Sequence, residues 1–163
     1  MNKQKTFEIF PIGKVEQTAS GLQLKIFEPY RKALTELEHF SHATVLWWCH
    51  QCDSKEYRQT LGCNKPYTNG PEKIGIFATR SPVRPNPIAI SSVAILGIDH
   101  EEGIIHIPWI DAMADTPIID LKPYHPCEDR IRDVSVPQWC SHWPKWAEDS
   151  ENFNWEAEIH TVH

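Results

Sequence analysis

Thirteen prolines against seven glycines in 163 residues set the first constraint on this chain. Each proline fixes φ and removes a backbone donor, so it ends helices and is confined in sheets to edges, first positions and bulges. A helical bundle is thereby disfavoured, and short extended runs joined by turns are expected. The densest cluster lies in ATRSPVRPNPI (78–88), with Pro82, Pro85 and Pro87 in six residues. Ser81, Arg84 and Asn86 each precede a proline and are held extended. A loop so restricted loses little entropy on ordering and can hold Arg80, Arg84 and Asn86 at fixed positions. Two guanidiniums and an amide suit a carboxylate or phosphate, through forked charge-assisted hydrogen bonds. The other reading is a structural crossing whose arginines pair with surface acids.

Between the prolines several runs read as strands. Phe7–Val15 is β-rich but broken by Pro11 and Gly13, which predicts a bulged or edge strand. Leu22, Leu24 and Ile26 alternate with Gln23 and Lys25, as in a strand with one buried face. Residues 29–38 have helical spacing and predict a short helix. ATVLWWC (43–49) is continuous and apolar, typical of a strand buried on both faces. Residues 51–73 read as one long loop. Ile74–Thr79, Ile88–Ile98, Gly103–Trp109 and a short run through Ile118, Ile119 and Leu121 predict further strands. Pro137 and Pro144 make residues 136–145 wrap rather than pack. Trp155, Ala157, Ile159 and Thr161 alternate as in a closing strand over Asn154–Val162. The fold class expected is mainly β, a small closed or partly open barrel with one or two short helices.

Composition narrows the function classes. No run of 18 apolar residues exists, and MNKQKTFEIF lacks the apolar core of an export signal, so no membrane span is expected. Five cysteines, an odd number, fit a reducing cytoplasm better than a disulfide framework. Residues 1–98 carry 12 Lys and Arg against 8 Asp and Glu, whereas residues 99–163 carry 4 against 14. Phosphate contacts are therefore expected from the first hundred residues, with Lys65, Lys73 and Arg84 as candidates. The acidic end also reads as a solubilising tail.

Two more groups carry chemistry. In DAMADTPIIDLKPY (111–124), Asp111, Asp115 and Asp120 flank a Thr116-Pro117 turn, and Asp120, Lys122 and Tyr124 share one side of a strand by period 2. That cluster can orient a substrate, tune a base or form a surface ion pair. Cys49, His50, Cys52 and Cys63 suggest a metal, but they lack a convincing four-ligand set, so none is expected. Nucleotide-loop, dinucleotide, zincin and hydrolase motifs do not occur.

LEHFSHATVLWWCHQ (37–51), IGIFATRSPVRPNPIAIS (74–91) and DTPIIDLKPYHP (115–126), with IGKV (12–15), resemble the TsaA-like family, also called YaeB/VirR or TrmO. The similarity covers residues from about 9 to 126. It implies a small β-barrel that binds S-adenosylmethionine, usually acts as a homodimer, and in characterised bacterial members methylates the exocyclic amino nitrogen of threonylcarbamoyladenosine beside the tRNA anticodon. By motif it implies cofactor contacts at His50, Gln51, Arg80, Ile90, Ile110, Asp111 and Ala112. Arg80 or backbone amides would hold the methionine carboxylate and Asp111 the amine or ribose, with Trp47, Trp48 and Phe77 around adenine. Asp120, Lys122 and Tyr124 match its DxKPY block and, with His50, are the catalytic candidates. Substrate contacts are expected from Arg84, Asn86, Lys65 and Lys73.

The chain departs from the family where IGKVEQTASGLQLKIF lacks a Ser-Pro-Phe segment and a Pro-Arg-Gln triplet. The expected organisation is a barrel over residues 1–135 and a Trp-rich acidic extension over 136–163 that packs on it. Two alternatives stay open: a methyltransferase of this fold acting on another small molecule or base, and a non-catalytic ligand- or metal-binding barrel.

Overall fold

The computed structural model describes residues 6–160. Nine strands follow in chain order: β1 (Gly13–Thr18), β2 (Gly21–Ile26), β3 (His42–Trp48), β4 (Gly62–Asn64), β5 (Lys73–Gly75), β6 (Ile88–Ala94), β7 (Gly97–Asp99), β8 (Ile104–Ile107) and β9 (Pro117–Pro123). Seven of them form one antiparallel sheet in the order β6-β3-β9-β1-β2-β8-β7, and β4 pairs with β5 in a separate ribbon. The sheet is not closed, because β6 and β7 are its two edges. It is a mainly β, partly open form of the expected barrel. Among the described residues no helix is long and apolar enough to cross a membrane.

The interior follows from strand periodicity. Val15, Leu24, Ile26, Val45, Ile105 and Ile118 are almost completely buried, and Leu34 closes over them from a 3₁₀ segment at Glu28–Leu34. That segment, with Pro29 in its first turn and a break at Thr35, and Leu37–His39 stand as 3₁₀ turns where a short helix is expected. In β3, Ala43, Thr44 and Val45 are all buried, as a strand between β6 and β9 requires.

Three local expectations are corrected. The first strand is neither bulged nor at an edge: it begins at Gly13 and lies between β9 and β2. Pro11 cannot donate to a ladder, and a side chain at Gly13 would collide with the Lys25 carbonyl. Ile74–Thr79 divides into β5 and a 3₁₀ turn at Ile76–Ala78, where Ile76 turns inward and Phe77 outward. Asn154–Val162 is no closing strand. Its described part is a single helical turn, α2 (Trp155–Glu158), following the equally short α1 (Pro126–Asp129). Asn154 caps α2 by accepting the Ala157 amide. Thr161 and Val162 lie outside the described residues.

One irregularity positions the site. Along β3 and β9, Leu46 faces Asp120 but Trp47 faces Ile118, so Ile119 is an extra residue on β9. Such a bulge re-aims the side chains that follow it.

Candidate active site

β3 ends at Trp48 and passes into a tight turn, Cys49–Cys52, closed by the Cys52 amide donating to the Cys49 carbonyl at 2.8 Å. His50 and Gln51 occupy its two middle positions. The Cys49 amide donates to the Pro87 carbonyl at 2.8 Å, which ties this turn to the last proline of the Pro-rich loop. Burial pushes the Cys49 thiol up to about 11; the Cys52 thiol and the Asp111 carboxylate push the same way, while the Arg84 guanidinium opposes them. The turn, the Pro-rich loop and the segment at Asp111 therefore converge at one end of β3.

The Pro-rich loop spends much of its hydrogen bonding on itself. The Arg84 guanidinium donates to the Thr79 carbonyl at 3.2 Å and, more weakly, towards the Ser81 carbonyl at 3.5 Å, and lies 6.0 Å from the Phe77 ring. Arg58, which the sequence places in an undifferentiated loop, donates to the Pro85 carbonyl at 2.9 Å and to Asn86 Oδ1 at 3.3 Å while covering the Trp48 ring. Trp48 Nε1 donates to Asp53, and Trp47 Nε1 to Ser91. Arg80 differs: its guanidinium is exposed and makes no hydrogen bond or ion pair among the described residues. Burial pushes the Tyr67 phenol up, and the Arg80 backbone opposes that shift only weakly.

Ile110 points into the core at 4% exposed, so its side chain is closed to a ligand, and Ala112 is half-buried. The Asp111 carboxyl is raised above the usual aspartate range by desolvation, although much of the residue remains open to solvent. Trp109 and Met113, on either side of Asp111 in sequence, expose their apolar side chains, as does Phe77 ahead of the Pro-rich loop. Asp115, in the left-handed conformation at φ 63°, accepts a 2.8 Å hydrogen bond from Lys14, which lowers its carboxyl; His50 adds a small effect of the same sign. Lys14 is a site residue that only its place in IGKV could have marked.

The DxKPY block runs away from this end. Lys122 Nζ lies 2.8 Å from Asp120 Oδ2, and the Leu121 amide donates to Oδ1, so both oxygens of Asp120 are engaged. Asp120 also borders an apolar hollow of about 310 Å³ with Ile12, Tyr30, Leu34 and Phe40. Asp120 is opposite Leu46, but the Tyr124 amide bonds the His42 carbonyl. Six residues of strand at ~3.3 Å each put Tyr124 ~20 Å from the Cys49–Cys52 turn. Asp120, opposite Leu46, lies three strand residues or ~10 Å short of that turn, and Tyr124 about twice as far.

Ile90 is half-exposed on the edge strand β6. Lys65 pairs with Glu72 at 3.2 Å, and Lys73 lies on β5, so both flank the β4–β5 ribbon. Cys52 and Cys63 are partly exposed free thiols. Among the described residues no group of three or more His, Cys, Asp or Glu side chains is gathered as a metal site.

The chain is 43% identical over 113 residues to a probable S-adenosyl-L-methionine-binding protein of Methanocaldococcus jannaschii, covering 69% of this chain and 87% of that one. It is 35% identical to the tRNA (adenine(37)-N6)-methyltransferase of Escherichia coli over 74% of this chain, but it spans only 52% of that enzyme. A crystal structure of TrmO from P. aeruginosa superposes with a TM-score of 0.65 at 25% identity, covering 85% of this chain and 63% of that one. A family model describes residues 3–130 as the tRNA-methyltransferase O N-terminal domain, so the match takes in the ladder β3–β9, the Pro-rich loop and the Asp111 segment together, and the chain belongs to that family.

Proposed function

We propose that this chain binds S-adenosylmethionine at the end of β3 and transfers its methyl group to the exocyclic amino nitrogen of threonylcarbamoyladenosine beside the anticodon of tRNA. The observation that carries this reading is the convergence on the Cys49–Cys52 turn of a free guanidinium loop and a desolvated carboxyl. The donor set fits the cofactor. Arg80 offers an uncommitted cation for its carboxylate, and Asp111 an anion for its amine or ribose. Phe77 and Trp109 offer exposed rings for adenine.

The bound cofactor supplies an electrophilic methyl group, and the chain has to align donor and acceptor at contact distance. A carbamoylated amino nitrogen is a weak nucleophile, so its proton needs an acceptor. Asp120 has both oxygens occupied by Lys122 and the Leu121 amide, which leaves His50 as the better-placed group. Asp120 and Lys122 then orient the substrate side of the strand. Backbone phosphates are met by Lys65 and Lys73 on the β4–β5 ribbon, while Arg84 and Asn86 hold the loop in shape. We place the reaction in the cytoplasm, with a homodimer as the working unit. The unpaired edge of β6 and its half-exposed Ile90 support that assembly.

Mass spectrometry of tRNA nucleosides from a deletion strain tests the substrate. Loss of the methylated threonylcarbamoyladenosine is expected. An unchanged nucleoside profile, with S-adenosylmethionine binding intact by calorimetry, would transfer the reading to another methyl acceptor.

A further inference from the structure

The β4–β5 ribbon is not part of the seven-stranded sheet; its two three-residue strands pair with each other. An isolated two-stranded hairpin is at best marginally stable in water, so this one needs support from elsewhere. At its base the Ile76 amide donates to the Leu61 carbonyl at 3.0 Å. At its tip Lys65, in the left-handed conformation at φ 37°, donates its amide to the Glu72 carbonyl at 2.9 Å, and the two side chains pair at 3.2 Å. Lys73 opposes Asn64 on the rung before it. Both lysines therefore sit at the tip, beside the loop 66–71.

That loop is gripped by residues 136–160, which lie beyond the matched family domain. The His160 amide donates to the Pro66 carbonyl at 2.8 Å, the Thr68 amide to the Glu158 carbonyl at 3.0 Å, and Thr68 Oγ1 to the Ala157 carbonyl at 2.6 Å. Tyr67 and Ile159 form a β-bridge. The Tyr67 ring stacks on Trp139 at 4.8 Å between centroids and meets Trp143 edge-on at 5.4 Å. The segment is itself braced: Trp143 packs against Trp139 and Trp155, and Glu158 accepts from both His142 and Trp143. Residues 136–160 carry one lysine against five Asp and Glu, a balance that argues against direct contact with phosphate. Their contribution is to hold. We infer that the C-terminal aromatic segment clamps the β4–β5 ribbon, with Tyr67 and Trp139 as positioning residues that fix Lys65 and Lys73 for the tRNA backbone. This rests on the reading of the ribbon as the phosphate-contacting surface. Lysines on a fixed ribbon have less freedom to lose on binding than lysines on a loose hairpin, so the clamp favours RNA binding without touching RNA.

The test uses the full chain, with steady-state kinetics on tRNA at several salt concentrations, calorimetry with S-adenosylmethionine, and hydrogen exchange. Tyr67→Ala and Trp139→Ala should each raise the tRNA Michaelis constant ~5-fold and leave kcat and cofactor affinity within about twofold, the signature of lost substrate binding rather than lost chemistry. The salt dependence of that constant should shrink, and amides of residues 62–75 should exchange faster while those of β1–β3 do not. Trp139→Phe preserves an aromatic partner and should recover most of the loss. Thr68→Val removes one hydrogen bond and no ring, so it should move the constant the same way by ~2-fold even if the larger truncations unfold the chain. In a double-mutant cycle, Trp139→Ala should add little to the reversal of Lys65 and Lys73 to Glu. Faster exchange in the ribbon with unchanged tRNA kinetics would reduce the segment to a structural role and overturn the proposal, as would a parallel loss of cofactor affinity. A reversal of Lys65 and Lys73 that leaves tRNA kinetics untouched would instead overturn the phosphate reading of the ribbon.

Discussion

Arg84 decides between the two readings of the Pro-rich loop. In the structure it donates at 3.2 Å to the Thr79 carbonyl, while the 3.5 Å approach to the Ser81 carbonyl is at the limit of a hydrogen bond. Counting one charged donor to a partly buried carbonyl gives about 1.5 kcal/mol, the low end for such bonds. The Phe77 ring, 6.0 Å away and mostly exposed, adds ~0.5 kcal/mol at most. Arg84→Ala should therefore cost about 1–2 kcal/mol of stability, offset only slightly by three prolines that keep the loop extended in the unfolded chain. For a domain of this size that is a melting shift of ~2–8 °C, read by calorimetry without ligand. Arg84→Lys should recover less than half, because an ammonium cannot reproduce the guanidinium fork. An unchanged melting temperature with a drop in affinity for tRNA or cofactor would refute this placement. Arg84 would then face a ligand rather than its own loop.

Other outcomes can be checked at the same site. Asp111→Asn should weaken S-adenosylmethionine binding by about 1.5–3 kcal/mol if its carboxylate holds the amine. Because desolvation raises the Asp111 carboxyl, parent affinity should decline on acidification while pH is still above the usual aspartate range; isothermal titration across acidic pH should show that decline flattened in the variant. Iodoacetamide at neutral pH should label exposed Cys127 first and Cys49 last, since the Cys49 thiol is buried and stays protonated with a value near 11; peptide mass spectrometry showing Cys49 labelled early would contradict its placement. Reversing Lys65 and Lys73 to Glu should raise the tRNA Michaelis constant, reduce its salt dependence and spare cofactor affinity. The same reversal at Arg130 and Arg132 should do less, and a larger effect there would refute the charge argument.

Much of the frame was legible because it depends on local pattern. Alternation in residues 22–26 identified β2 and its buried face, and the unbroken run 43–49 identified a strand with neighbours on both sides. Neither pattern states the register. Asp120, Lys122 and Tyr124 share a strand side in sequence, yet pairing with β3 spreads them along its length, so a compact motif becomes an extended one. The alternation from Trp155 to Ile159 failed for a different reason. Asn154 caps a helical turn there, Trp155 packs against Trp143 and Phe153, and Ile159 bridges to Tyr67, a partner no local window contains. Arg58 was invisible for the same cause: its partners Pro85 and Asn86 lie 27 and 28 residues away.

The place of β9 in the sheet has a kinetic consequence. It is the last strand in the chain but lies between β3 and β1, and its approach to β1 is marked by the Lys14–Asp115 pair, 101 residues apart in sequence. During synthesis, β1–β2 and β3–β6 can form as separate sheets, each with an open apolar flank where β9 will go. They join only when residues 117–123 have left the ribosome, and long-range pairing of this kind places folding on the slow side for a domain of this size. Until then the nascent chain presents two unpaired strand edges, β1 and β3, to any other extended segment. Insertion of β9 is thus both the step that unites the protein and the step that ends its exposure to misassembly.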